Sequence, residues 1–475
     1  MVAEEFKALS IHRLRALESP GLGSRSMSYV YRPATVTGIR EVMETARSSG
    51  RSVSVRGTGL GLADAALNAE NVSVELSRMD GVLFWDPSSG RVEVEPGVTV
   101  RQLWRHVIED GWWPPVVPES MHKTLGGSVA LDAHGKNHWK AGSIADHIEG
   151  IDLLLPDGSC LPCSPVENEE LFRAALGGFG LIGVVVRLRL QMKPVSSGLL
   201  RVRTLRSRNL SDTFAMFEAW TGRADYVRGW IDGCATGPAL GRGVVHIATH
   251  VDDDQNPVQT LRTDFQELSS LVEGVLPRSQ LWRVLRLLTR PGARFLNEAG
   301  YRAVGYFPGG ERLTPLARFL FAQDQAPGWQ RAFRPGGVID YQPFLPETMA
   351  RPVFHALLKR THAQGLFPCL TIIGRHRASK SLLSRSMDGY SLSLHFPITA
   401  ANQKTLARTL DRLTDEVVVP AGGRVLPASG LVGSDQTAAQ AFGAESVDRF
   451  VALKRAYDPD EVLQSDMYRR LFPHA

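Results

Sequence analysis

Two short stretches of the chain carry more chemistry than a structural segment needs. The first is RGTGLGLAD, where Gly57, Gly59 and Gly61 fall on alternate positions after the strand-like SVSV. Successive glycines free the backbone to turn several N–H groups toward one concavity, which suits a pyrophosphate. The second is TLGGSVALDAHGKNHWKAGS. There Thr124, Gly126, Gly127 and Ser128 again allow close backbone approach, and His134, Lys136 and His138 follow within a dozen residues. Histidine titrates near neutral pH and can take or give a proton, while lysine can stabilise negative charge. Zinc binding is the competing reading of the histidine pair, but no cysteine or acid partner stands at ligand spacing.

The glycine loop has a decoy in the dinucleotide-binding fingerprint, with Glu75 ending a later strand as the ribose-binding acid. Its spacing is GxGxG, not GxGxxG, and only 11 residues lead from Ala63 to Val74. A crossover helix does not fit that gap.

The remaining chain must position these stretches. At 475 residues it predicts two domains, and 43% hydrophobic with 22% charged residues is the balance of a globular enzyme. Ile39, Val42, Met43 and Ala46 predict a helix over 36–50, and Val100, Leu103, Trp104 and Val107 predict another, capped by Thr99. With strands VSVEL, RVEVEPGV, HIEGIDLLL and VVVRLRLQM, the first part reads as α+β. Longer helices and the alternating strands GGVIDYQPFL and GYSLSLHFPI fill the centre. On them Asp340 and Gln342 share one face, as do Ser391, Ser393 and His395. The boundaries this suggests are 1–196, completed by a returning tail 424–475, and 197–423.

Other totals exclude functions. Four cysteines argue against a disulfide framework, and Cys160-x-x-Cys163 follows an Asp157-Gly158 turn into a strand. A net charge of +5 is dispersed, and no nucleic-acid-binding signature is present. The exception is residues 278–295, where five arginines flank Leu281, Trp282, Leu285 and Leu288. This reads as a basic amphipathic helix, packed on its apolar face, whose membrane contact is at most peripheral. The charged N-terminus has no apolar signal core and no run reaches the length of a membrane span, so a cytoplasmic location is expected.

On these motifs the sequence resembles the vanillyl-alcohol oxidase superfamily of flavoenzymes. VRGTGLG, TLGGSVALDAHGKNHWKAGS, DLLLPDG, ELFRAALGGFGLIGVVVRL, DYVRGWID, YQPFLP and DPDEVLQSDMYRRL carry the likeness nearly end to end. Within the superfamily it is most similar to the branch that oxidises a lipid-phosphate-linked ribose as the first half of an epimerisation. The resemblance implies a two-lobed α+β fold of the FAD-binding (PCMH) type, with a separate substrate domain on an antiparallel sheet. It implies non-covalent FAD held by Arg56, Gly57, Thr58, Gly59, Leu60, Gly61, Leu62, Thr124, Gly126, Gly127, Ser128, His134 and Val184. The flavin would be non-covalent because the first loop has no histidine and neither loop has a cysteine.

By the same resemblance a sugar-like substrate meets Lys136, Trp230, Asp340, Gln342, Ser391, Ser393 and His395. Catalysis falls to His395 or His134 as base, with Lys136 stabilising charge beside the flavin. The chain departs from that branch at Leu62 (an aromatic there), Ser393 (a reactive cysteine), Asp340 (a glutamine) and at Gly374 and Ser429 (lysines). The expected function is FAD-dependent oxidation of a secondary alcohol of a sugar, nucleoside or polyol to a ketone, with a reductase partner where epimerisation follows. An aldonolactone or alditol oxidase using oxygen, and a degenerate flavin-fold partner subunit, are the alternatives.

Overall fold

A computed structural model describes residues 8–272, 276–286, 290–306, 310–425 and 438–472. The architecture mixes helices with mostly antiparallel sheets. Near the N-terminus, parallel strands Val53–Arg56 and Val72–Glu75 lie beside Arg25–Tyr31, and Leu14–Glu18 closes the four-stranded sheet. The helix Val36–Ser48 packs on it through Ile39, Val42, Met43 and Ala46, the residues whose spacing predicted it. A second, five-stranded sheet orders Val82–Asp86, Arg91–Val94, Val184–Gln191, Ile148–Leu154 and Cys160–Cys163. The glycine loop leaves the end of Val53–Arg56, so a buried strand fixes where the loop begins.

The helix Val100–Val107 has the expected Thr99 cap, strengthened because the Gln102 side chain returns to the Thr99 N–H. Cys160–Cys163 is a sheet-edge strand with an exposed and a buried free thiol, and burial raises both thiol pKa values.

The centre of the chain builds a large antiparallel sheet. In it Tyr226–Ile231, Leu370–His376 and Gly389–Pro397 are consecutive neighbours. The stretch expected as one strand, GGVIDYQPFL, is two: Val338–Tyr341 and Pro343–Pro346 both pair with Gly389–Pro397, and Gln342 stands at the break. Pro343 lacks an N–H for the ladder, which accounts for an interruption there. Leu392 and Leu394 enter the core beneath the sheet, leaving Ser391, Ser393 and His395 on the opposite face.

After Arg424–Val425, which extends the large sheet, the helices Ala438–Phe442, Ala444–Tyr457 and Asp466–Leu471 return to the core of the N-terminal sheets. Lys454 and Asp458 form a fully buried ion pair there, and Asp458 also accepts the Val462 and Leu463 N–H groups. Of the basic stretch, Leu281–Arg286 and Arg290–Tyr306 are helical, with Pro291 in the first turn of the latter span; Leu288 lies outside the described residues, as does Ser429. Among the described residues no helix is long and apolar enough to cross a membrane.

Candidate active site

The two glycine stretches meet along one wall of a cavity. Gly57 packs so closely on Thr124 that a Cβ at 57 would stand 2.1 Å from Thr124 Oγ1, so glycine is what lets the loops touch. Gly59 adopts φ +76°, a left-handed conformation that side chains disfavour. From Gly57 to Leu62, six successive backbone N–H groups find no protein acceptor among the described residues. None of these residues is fully buried, so the row of N–H groups is open to an acceptor from outside the chain, and an anionic pyrophosphate suits it. Arg56, Thr58, Leu60, Gly61, Gly127, Ser128 and His134 continue the same wall.

The opposite wall is polar. Asp340, Gln342, Ser393 and His395 line the cavity, joined by Lys123, Glu119, Arg228 and Arg385. Ser393 Oγ donates to Asp340 Oδ1 at 2.5 Å, and Asp340 Oδ2 lies 3.8 Å from His395 Nε2. The His395 ring packs edge-on against Trp329, and its Nδ1 is buried without a partner. Sequence segments more than 200 residues apart thus face one another across the space.

Three expected contacts lie elsewhere. Gly126 is turned from the cavity: its N–H donates to Pro96 O at 2.9 Å, and a Cβ would stand 2.7 Å from Pro96 Cβ. Packing, not ligand approach, requires that glycine. Val184 is fully buried in the core with Val53, Val72 and Leu154 and does not line this cavity. Ser391 is buried behind the wall, hydrogen-bonded to His376 and within reach of Gln342.

Lys136 and Trp230 line an adjoining cavity that shares Glu119, Arg228, Gln323 and Ile372 with the first. The Lys136 ammonium donates to Phe319 O at 3.0 Å and Leu320 O at 2.6 Å, the carbonyls ending the helix Leu316–Leu320. Burial brings its pKa down to about 8 against the pull of Glu119. Its charge is therefore committed to a helix end rather than presented to the first cavity.

Electrostatics single out residues that the motifs missed. Glu119 and Arg228 form a tight ion pair between the two cavities. Burial pushes the Glu119 carboxyl up, but Arg228 and Lys136 outweigh it and leave the pKa below the ordinary value. Burial lowers Lys123, with Glu119 and Asp324 opposing. Arg385 is brought down to about 10 by burial, opposed by Asp340, and its guanidinium lies 5.2 Å from the Phe344 ring centre. Lys123 and Arg228 sit inside motifs already conspicuous in the sequence, whereas Arg385 comes from a segment with no signal at all.

Behind His134 lies a histidine cluster. Its ring centre is 4.9 Å from that of His376 and 5.5 Å from that of His138. Burial, then His138, hold the His134 pKa well below the usual range, so it is a neutral and weakly basic imidazole. His138 begins a short helix, His138–Ala141. Among the described residues no group of three or more His, Cys, Asp or Glu side chains is arranged to hold a metal ion.

Comparison with known proteins agrees with this cavity. Residues 27–164 match the FAD binding domain family. Decaprenylphosphoryl-beta-D-ribose oxidase of Mycolicibacterium smegmatis is 28% identical over 91% of this chain and 92% of its own. An uncharacterised protein of Streptomyces coelicolor is 32% identical over 79% of this chain and all of its own. Mouse L-gulonolactone oxidase is 29% identical over 34% of this chain and 37% of its own. The matched FAD binding segment contains both glycine loops and the histidine stretch, the same residues that wall the cavity. With those residues and relatives, the chain belongs to the vanillyl-alcohol oxidase superfamily of FAD-dependent oxidoreductases.

Proposed function

We propose that this protein oxidises a secondary alcohol of a sugar-, nucleoside- or polyol-type substrate to a ketone, using non-covalently bound FAD. The carrying observation is the pairing, across one cavity, of unsatisfied glycine-loop N–H groups with the His395–Asp340–Ser393 cluster. The relatives named for ribose and lactone oxidation support a sugar-type substrate.

Bound FAD supplies hydride acceptance from the carbinol carbon. Gly57 to Leu62 hold the pyrophosphate, and His134 and Gly127 shape the wall between the loops. His395 takes the hydroxyl proton at Nε2, since Nδ1 is enclosed. Asp340, fixed by Ser393, stabilises the imidazolium that results. Gln342 positions a hydroxyl but cannot take its proton. Lys123, Arg228 and Arg385 offset negative charge, so the absence of lysines at Gly374 and Ser429 does not leave this cavity without cations. The two-lobed arrangement, with residues 197–423 as substrate domain, is part of the same reading. A separate reductase acting on the ketone would complete an epimerisation, and a cytoplasmic location suits both steps.

Anaerobic mixing of the yellow protein with pentoses, pentitols and their glycosides tests the proposal. Loss of the oxidised-flavin band with at least one of them is expected. A colourless preparation that takes up no added FAD would overturn it in favour of a degenerate subunit.

A further inference from the structure

Behind the cavity wall, four side chains make one continuous chain of hydrogen bonds. Gln342 Nε2 reaches Ser391 Oγ at 3.3 Å, Ser391 Oγ reaches His376 Nε2 at 2.7 Å, and His376 Nδ1 reaches His138 Nδ1 at 3.1 Å. At the far end the backbone N–H of Arg377 donates to the same His138 Nδ1 at 3.3 Å. A backbone N–H can only donate, so it sets the direction of every bond that follows.

His138 Nδ1 must accept, which places that ring's hydrogen on Nε2. His376 Nδ1 must then donate, leaving its Nε2 as a lone pair. Ser391 has one hydrogen and must spend it on that lone pair. It can therefore only accept from Gln342, whose NH2 group is the end that faces it. The other end of the amide, Oε1, has no protein partner among the described residues, and Gln342 lines the cavity beside Asp340, Ser393 and His395.

Two features keep the chain in this state. Burial, then His134, hold His376 well below the usual histidine range, and burial brings His138 to about 4, so both rings are neutral near pH 7. Gly374 makes room, since a Cβ there would start 3.2 Å from His376 Nε2. A side chain at this position, where the resembling branch carries a lysine, would crowd the ring of this histidine.

We propose that His138, His376 and Ser391 are positioning residues that hold the Gln342 amide with its carbonyl oxygen toward the substrate. The site then takes a hydrogen-bond donor at that point and turns away a group that can only accept. Identifying the donor as a substrate hydroxyl rests on the alcohol oxidation proposed above; the amide orientation does not.

Histidine tautomers give a direct test. In the 15N-histidine-labelled holoenzyme, long-range 1H–15N correlation should show His138 as the Nε2–H form and His376 as the Nδ1–H form. His138→Asn and His376→Asn assign the signals. Gln342→Glu should then convert His376 to the doubly protonated form at neutral pH, because the carboxylate takes the Ser391 hydrogen and Ser391 must accept from His376. An Nε2–H tautomer of His376 in the unaltered protein, or His376 signals indifferent to Gln342→Glu, would overturn the relay.

Ser391→Ala supplies the kinetic arm. For whichever sugar or polyol bleaches the flavin, KM should rise roughly tenfold while the saturating reduction rate stays within about twofold. A fall in the saturating rate with KM unchanged counts against positioning. If no alcohol bleaches the flavin, the proposed function fails, while the tautomers still decide the relay.

Discussion

His395 Nε2 lies 3.8 Å from Asp340 Oδ2, and the two residues stand in direct register on antiparallel strands. Neither the distance nor the register depends on a mobile loop, so the pair is set by the sheet itself. His395→Ala should slow flavin reduction by roughly 10²–10⁴-fold with FAD still bound, and it should remove the acid limb of the pH–rate profile. Asp340→Asn should cost less, because the base remains and only its imidazolium loses a partner. Stopped-flow reduction with the best alcohol decides both. An unchanged rate in His395→Ala would remove it as base and return the role to His134.

The flavin should leave the protein on denaturation. Covalent attachment needs a nucleophile at the loop that holds the cofactor, and Arg56 to Asp64 contain neither histidine nor cysteine. The four free thiols are at Cys160, Cys163, Cys234 and Cys369, and none lines the first cavity. Acid precipitation is expected to give a yellow supernatant over a colourless pellet. A yellow pellet would point to His134, the one histidine on the loop side of the cavity wall.

How much of this was legible beforehand differs by residue. The glycine loops, the first helices and the polar face of Gly389–Pro397 follow from local spacing, and the structure realises each of them. Gly126 and Gly127 could not be told apart by sequence, because their difference is a contact with Pro96, 30 residues upstream. Lys136 looked like a residue of the first cavity because it follows His134 by two. The chain turns between them, and its ammonium meets a helix end from residues 319–320. Arg385 and the His376–Ser391 contact join elements whose pairing only the sheet register creates.

Stability should fall as pH drops from 6.5 toward 5. Burial holds His138 and His246 at about 4 in the folded protein, against about 6.5 when unfolded. In that window the unfolded chain takes protons that the native rings refuse, so each histidine removes up to roughly 1.4 kcal/mol per pH unit. Asp132 and Asp324, raised by burial, act in the opposite sense as pH falls, so the histidine contribution is read from the difference that His246→Gln makes. Urea midpoints between pH 7.5 and 5 should show the decline, and His246→Gln should make it shallower. A profile in His246→Gln as steep as the original would contradict the assignment.

Lys136 distinguishes a structural cation from a chemical one. Its two carbonyl acceptors, Phe319 O and Leu320 O, terminate the helix Leu316–Leu320, and its carbon chain runs beside the second cavity. Lys136→Met keeps the length and apolar stem but leaves both carbonyls without that donor, a loss of about 1–3 kcal/mol in unfolding free energy. Flavin reduction at saturating alcohol should stay within about tenfold of the original, since the ammonium is spent on the helix end. A side chain that instead stabilised charge developing on the substrate would show the reverse pattern: roughly 10²–10³-fold slower reduction with the urea midpoint unmoved. Measuring both quantities on the one variant separates the two roles.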